Sequence, residues 1–356
     1  MRLSRFRFTK RYRLKDYNCI LVALVTALSI LGIFVVGSAK EIYQTKQIFG
    51  VVAGLIIMVI VSLIDYVWVL DFYWLIYGFA VLILGLVLVI GTEVNGATRW
   101  INLGFTTFQP SELAKILLIL FFARFLMKHE DDLNDKATLF KYAVLCGIPL
   151  VLIIAEPNLS TTICTALVLC ILIYIAGLSY RFILTVLLIL IPTAVIFLSI
   201  AVQPNQPFLK DYQQNNSVMA IGSGQLTGKG LNNNTTTSVK NGNFILEPQT
   251  DFIFAIIGEE LGFVGSCIVI ALLLLIVIQC ILTGARAQNL AGKIICCGVG
   301  GLIAVQSFIN IGVATGLIPN TGVPLPFVSY GLTSLVSLYI GIGFVLNVGL
   351  QPKKYQ

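Results

Sequence analysis

The chain has 356 residues, of which 58% are hydrophobic and 11% charged, whereas a soluble domain carries roughly 25% charged residues. That composition cannot cover a water-facing surface, so the expected solvent is lipid. The formal charge of +7 does not point to nucleic acid, because much of it sits in one N-terminal run: Arg2, Arg5, Arg7, Lys10, Arg11, Arg13 and Lys15.

This run directly precedes the first apolar segment and reads as an inside-facing topology determinant. Phe6, Phe8 and Tyr12 interleave with it and favour contact with anionic membrane lipid. The apolar core Ile20 to Val36 exceeds the ~7–15 residues of a signal-peptide core, so it is kept as an uncleaved span. A span needs ~20 mostly apolar residues. By that measure about ten helices are expected, near 18–37, 47–64, 70–91, 112–127, 141–155, 160–176, 181–202, 252–282, 293–317 and 327–349.

The expected fold class is therefore an all-α integral membrane protein, one polytopic domain over 1–356. Residues 1–17 form a basic cytoplasmic N-terminus, and 203–251 a large extracytoplasmic loop. With the N-terminus inside, sixteen of the twenty-three basic residues fall on the inner side, and an even helix count returns the C-terminus there. The aromatic stretch Asp65 to Trp74 lies on that side and reads as an interfacial belt.

Two outer stretches stand out, 92–111 and 203–251, the latter containing Gly222, Gly224, Gly228, Gly230 and the run Asn232 to Thr237. A solvated linker is the plain reading of the second, although loops this long are usually functional or disordered. The eight cysteines lie in or beside apolar segments, which argues against a disulfide framework. A single histidine, His129, excludes a multi-histidine metal site and a Ser-His-Asp triad.

Ionisable residues in or beside apolar segments are informative because burying charge in lipid is costly. On the outer side these are Arg99, Glu112, Lys115, Glu156, Asp251, Glu259 and Glu260. Glu112 and Lys115 share one helical face, either as an internal ion pair or as a cavity wall. Pro110 and Ser111 mark the helix start, with Ser111 as the expected cap. Asp251 opens another helix, as an N-cap or as a functional carboxylate. Glu259 and Glu260, between Gly258 and Gly262, suit helix packing or cavity contacts better than lipid. Ile318 to Pro326 holds three prolines and cannot be regular helix. The hydroxyls of Ser329 and Tyr330 just after it suit either sugar or neighbouring helices.

Several motifs together carry a family resemblance. Gly96-Ala97-Thr98-Arg99-Trp100-Ile101, Gln109-Pro110-Ser111-Glu112-Leu113-Ala114-Lys115 and Gly228-Lys229-Gly230 are followed by Thr250-Asp251-Phe252-Ile253-Phe254-Ala255, Gly258-Glu259-Glu260-Leu261-Gly262 and Pro324 to Gly331. In this order they resemble the SEDS family, the RodA/FtsW/SpoVE group of bacterial elongation, division and sporulation proteins. The resemblance implies a ten-helix fold in the bacterial plasma membrane, peptidoglycan glycosyltransferase activity on lipid II, and a class B penicillin-binding protein as partner. It implies Asp251 as the essential aspartate and Arg99, Glu112 and Lys115 as site residues. Glu156, Glu260, Ser329 and Tyr330 complete the expected substrate-binding set.

The family usually has Gln-Pro-Asp where this chain reads Glu156-Pro157-Asn158, and often Pro-Glu where it reads Leu246-Glu247-Pro248. No cofactor is specified; a divalent cation such as Mg2+ or Mn2+ is compatible with the carboxylates without being spelled out by them. A lipid-linked precursor flippase and a non-enzymatic scaffold are the rival readings. The sequence does not distinguish elongation from division or sporulation.

Overall fold

The computed structural model describes residues 17–94, 97–102, 104, 107–178, 207–232 and 247–351. The basic N-terminal run, the expected helix at 181–202 and Lys353 and Lys354 lie outside the described residues. Within them, α1 (Cys19–Ala39), α2 (Glu41–Leu63), α3 (Tyr66–Asp71) and α4 (Tyr73–Ile90) lead into three short strands. These are β1 (Thr92–Val94), β2 (Ala97–Asn102) and β3 (Thr107–Phe108). Then come α5 (Pro110–Lys128), α6 (Lys136–Ala155), α7 (Leu159–Ile175), α8 (Pro207–Ser223), α9 (Ile253–Ala285), α10 (Leu290–Ala314) and α11 (Leu332–Gly349).

Seven of the described helices are long and apolar enough to cross a membrane: α1, α2, α4, α6, α9, α10 and α11. α7 is apolar but shorter, and α5 carries Glu112, Lys115, Arg124 and Lys128 within its length. The chain is a multi-pass membrane protein. The helices divide into an inner and an outer set. α10 and α11 are mostly buried along their apolar length, whereas α4, α6 and α9 leave most of theirs exposed, so the first two are enclosed by protein. Phe49, Leu75, Val89, Phe140, Val151 and Phe263 point outward from the outer set, as lipid-facing side chains do.

Small residues let the outer helices approach the inner ones. A Cβ on Gly54 of α2 would lie 2.1 Å from the Tyr339 ring of α11, and the Tyr339 hydroxyl donates to Ser29 of α1 at 2.7 Å. A glycine in this place trades side-chain volume for helix contact, the usual device where lipid offers no hydrophobic drive. At one end of the bundle Arg124 pairs with Asp71 at 3.0 Å, and Lys128 lies 4.3 Å from the Tyr73 ring centre. Both anchors fall in the aromatic belt read from the sequence.

Three features depart from the expected layout. The stretch 203–251 contains a helix, α8, whose Ser217 donates to Ala314 of α10 at 2.7 Å and whose Gln214 donates to Ile318 at 2.6 Å. The stretch 92–111 folds into antiparallel pairings, with Thr92 opposite Trp100 and Ile101 opposite Phe108. Third, α9 is broken at Gly262, whose φ is 67°.

The break is repaired from outside the helix. It deprives the Glu259 and Glu260 carbonyls of their helical donors, and the Phe263 and Val264 amides of their acceptors. Residues 225–230 supply all four: Lys229 and Gly230 amides donate to Glu259 and Glu260 at 3.0 and 2.9 Å, while the Gln225 and Leu226 carbonyls accept from Phe263 and Val264 at 2.9 and 3.1 Å. Buried backbone groups must be paired, and this strap pairs them. Its Gly228 has φ 78°, and a Cβ there would sit 2.1 Å from the Glu260 carbonyl oxygen, so only glycine fits.

Candidate functional site

The site assembles from four segments at one end of the bundle: β2, the α6–α7 junction, the turn before α9, and the α10–α11 loop. The turn is held first. Asn310 of α10 donates to the Asp251 carbonyl at 2.8 Å and to the Val323 carbonyl at 2.7 Å, tying turn and loop to one side chain. Ser329 accepts from the Leu325 amide at 2.8 Å and donates to the Thr250 carbonyl at 2.6 Å. The Tyr330 amide donates to the Gln249 carbonyl at 2.9 Å. Across the loop, Ser160 of α7 donates to the Thr321 carbonyl at 2.5 Å.

Asp251 therefore sits in a turn whose carbonyls at 249, 250 and 251 are all held by hydrogen bonds from α10 and the α10–α11 loop. It is not a helix cap, which was one of the two roles its sequence position left open. The cap position belongs to Phe252, with no side-chain hydrogen bond, so the carboxylate is free of capping duty. It faces the loop, where a Cβ on Gly322 would lie 3.3 Å from its Oδ2. Ser111 is likewise not a cap: Gln109 holds that position and Pro110 begins α5, because proline's missing amide suits the first turn.

Glu156 caps the C-terminal end of α6 and is fully buried. Neither carboxyl oxygen has a hydrogen-bond partner among the described residues. Burial pushes this carboxyl up to about 8, against the opposing pull of Arg99. Burial also pushes Asp251 up to about 6; Arg99 works against the rise and Glu247 adds to it. One guanidinium thus acts on both carboxyls. Arg99 is delivered by β2, and its Nε also lacks a partner among the described residues.

Further buried polar atoms in and beside these segments lack partners among the described residues: Asn158 Nδ2, Gln249 Oε1, Asn310 Oδ1 of α10 and Thr321 Oγ1. A buried polar group without a partner costs about 1–3 kcal/mol. Several such groups gathered around one turn call for an explanation beyond packing. Asn158 spends its other amide atom capping α7 through the Thr161 amide at 3.3 Å.

The remaining sequence candidates are placed differently. Glu112 and Lys115 are both buried and form an ion pair at 2.7 Å, with Gln306 of α10 donating to Glu112 at 3.4 Å. That pair lies within the bundle, and Lys115 is committed to its own helix. Glu260 accepts from Ser38 of α1 at 2.5 Å, and Glu259 pairs with Lys229 at 2.9 Å; both belong to the strap around the α9 break. The Ser329 hydroxyl is used in holding the turn, and the Tyr330 ring packs 4.5 Å from Tyr43. Asn310, Gln249 and Thr321 were not singled out from the sequence. Asn310 carried a readable signal, a polar amide inside an apolar run. Among the described residues there is no group of three or more His, Cys, Asp or Glu that could hold a metal ion.

The FtsW/RodA/SpoVE family model, described as cell cycle protein, matches residues 16–354. The chain belongs to this family. Among FtsW/RodA/SpoVE relatives, the peptidoglycan glycosyltransferase MrdB of Escherichia coli K12 is 35% identical over 349 residues, covering 94% of this chain and 93% of the relative. The probable peptidoglycan glycosyltransferase FtsW of Coxiella burnetii is 33% identical over 369 residues, covering 95% and 97%. The crystal structure of the rod shape determining protein RodA of Thermus thermophilus superposes with a TM-score of 0.74 at 27% identity, covering 94% of this chain and 96% of that one. A chain in a peptidoglycan synthase complex, described for its coordination of polymerization and crosslinking, gives a TM-score of 0.79 at 27% identity, covering 94% and 97%.

Proposed function

We propose that this protein polymerises lipid II into glycan strands at the outer face of the bacterial plasma membrane, with Asp251 as general base. The chain is a peptidoglycan glycosyltransferase, as its relatives are named. The observation that supports the site is the convergence of Arg99, Glu156 and Asp251 at one corner of an apolar bundle, where Arg99 Nε and both Glu156 oxygens lack partners among the described residues. In the reaction, the 4-hydroxyl oxygen of one glycan unit bonds to the anomeric carbon of another. The bond from that carbon to the diphosphate oxygen breaks, and its electron pair leaves with undecaprenyl diphosphate. The hydroxyl proton passes to the Asp251 carboxylate. A carboxyl raised to about 6 is a stronger base than an ordinary aspartate while staying mostly ionised at neutral pH. Arg99 engages the leaving diphosphate, whose growing charge a guanidinium meets with two parallel hydrogen bonds.

Both termini lie in the cytoplasm, and the turn before α9 lies outside, in keeping with the basic N-terminal run. A class B penicillin-binding protein is the partner that crosslinks the strands; the likeness to a chain of a synthase complex supports this. Purified protein incubated with lipid II, with and without that partner, tests the reading on a gel. Glycan ladders are expected. Transfer of intact lipid II across vesicles with no ladder under any condition would replace the enzyme by a flippase.

A further inference from the structure

Glu156 has no role in the reaction so far. It is fully buried, at a helix C-terminus where a negative charge is disfavoured. Both its oxygens lack partners among the described residues. The charged groups brought to this corner are Arg99 from β2 and, from the segment before α9, Asp251 and Glu247. α7 and the α10–α11 loop add the neutral Asn158, Ser160 and Thr321.

We propose that Glu156 works as a neutral acid, donating its carboxyl O–H to a diphosphate oxygen of the glycosyl donor beside Arg99. This rests on the glycosyl-transfer reading and names the group that receives the diphosphate. An ionised carboxylate there would repel a diphosphate, while a neutral carboxyl offers it a donor that no group among the described residues has claimed. Burial favours the neutral form, holding the carboxyl up to about 8. At higher pH Glu156 ionises, draws Arg99 to itself and turns from donor to repulsive neighbour. Two contacts to the diphosphate are lost together.

Geranyl diphosphate in detergent is a suitable probe because its binding can be followed without turnover. Affinity for the wild-type protein should fall about tenfold between about pH 7 and about pH 9, following the neutral fraction of Glu156. Glu156→Gln keeps a donor and cannot ionise, so its affinity should be flat over that range. Glu156→Ala should bind about tenfold more weakly than Glu156→Gln at neutral pH, one hydrogen bond to a charged group being lost. A pH-independent wild-type affinity, the same alkaline fall in Glu156→Gln, or equal binding by the Ala and Gln variants would each overturn the proposal. If neither variant folds, the wild-type pH series alone decides. Lipid II turnover by Asp251→Asn reads the underlying reaction separately: a near-normal rate there would remove the general base without altering the diphosphate result.

Discussion

Replacing Asp251 by Asn should abolish glycan synthesis without loss of stability. The raised carboxyl, from 3.8 to about 6, means that the folded protein holds this proton more tightly than the unfolded chain does. Its contribution to stability is therefore fully present below 3.8 and is lost as pH rises through the window up to about 6. At neutral pH the ionised aspartate costs the fold about 3 kcal/mol, taking 1.36 kcal/mol per unit. Partial exposure of the residue reduces that figure. Asparagine has no charge to bury, and no cap is lost because Phe252 holds the cap position without a side-chain bond. The variant should melt at or above the wild-type temperature in detergent while lipid II polymerisation falls by ~10²–10⁴-fold. The wild-type rate should rise with pH through about 6 as the base ionises. A variant that polymerises normally would refute the base assignment; one that is inactive but clearly destabilised would refute the account of a buried, costly carboxylate.

Arg99→Lys should lose at least about tenfold in polymerisation with little change in melting, because a point-charge ammonium cannot reproduce the bidentate contact; a near-wild-type rate removes Arg99 from diphosphate binding. Gly228→Ala forces a Cβ to 2.1 Å from the Glu260 carbonyl oxygen at φ 78°, so thermal unfolding should show a loss of about 1–3 kcal/mol. An unchanged melting temperature would mean the strap does not hold the α9 break. Glu112→Ala strands Lys115 in the bundle and should cost about 3–5 kcal/mol, part of which the Glu112→Ala, Lys115→Ala double variant recovers; a fully additive double-mutant cycle would refute the pairing.

The apolar segments and the basic run are enough to fix the membrane class, because hydrophobic length and charge asymmetry act locally along the chain. Nine of the ten expected spans have a helical counterpart among the described residues, and the tenth, at 181–202, lies outside them. The strands were hidden because two to six residues are too few to show a period, and α8 because its mostly polar sequence, including Lys210, Asp211 and Gln213 to Asn216, reads as a solvated linker. The sequence offered Arg99, Glu112, Lys115, Glu156 and Asp251 as candidates without sorting them. In sequence Lys115 and Arg99 are equivalent outer cations. The fold buries Lys115 against Glu112 on its own helix and sets Arg99 to act on two carboxyls from distant segments. The Gly228-Lys229-Gly230 and Gly258 to Gly262 motifs were visible separately, but their meeting across the α9 break is a long-range backbone pairing. Asp251 reads as a cap from its position alone, whereas the turn wound one residue further and left its carboxylate to face Gly322. Spacing along one helix is legible in the chain; which unpaired groups converge from different segments depends on how the bundle closes.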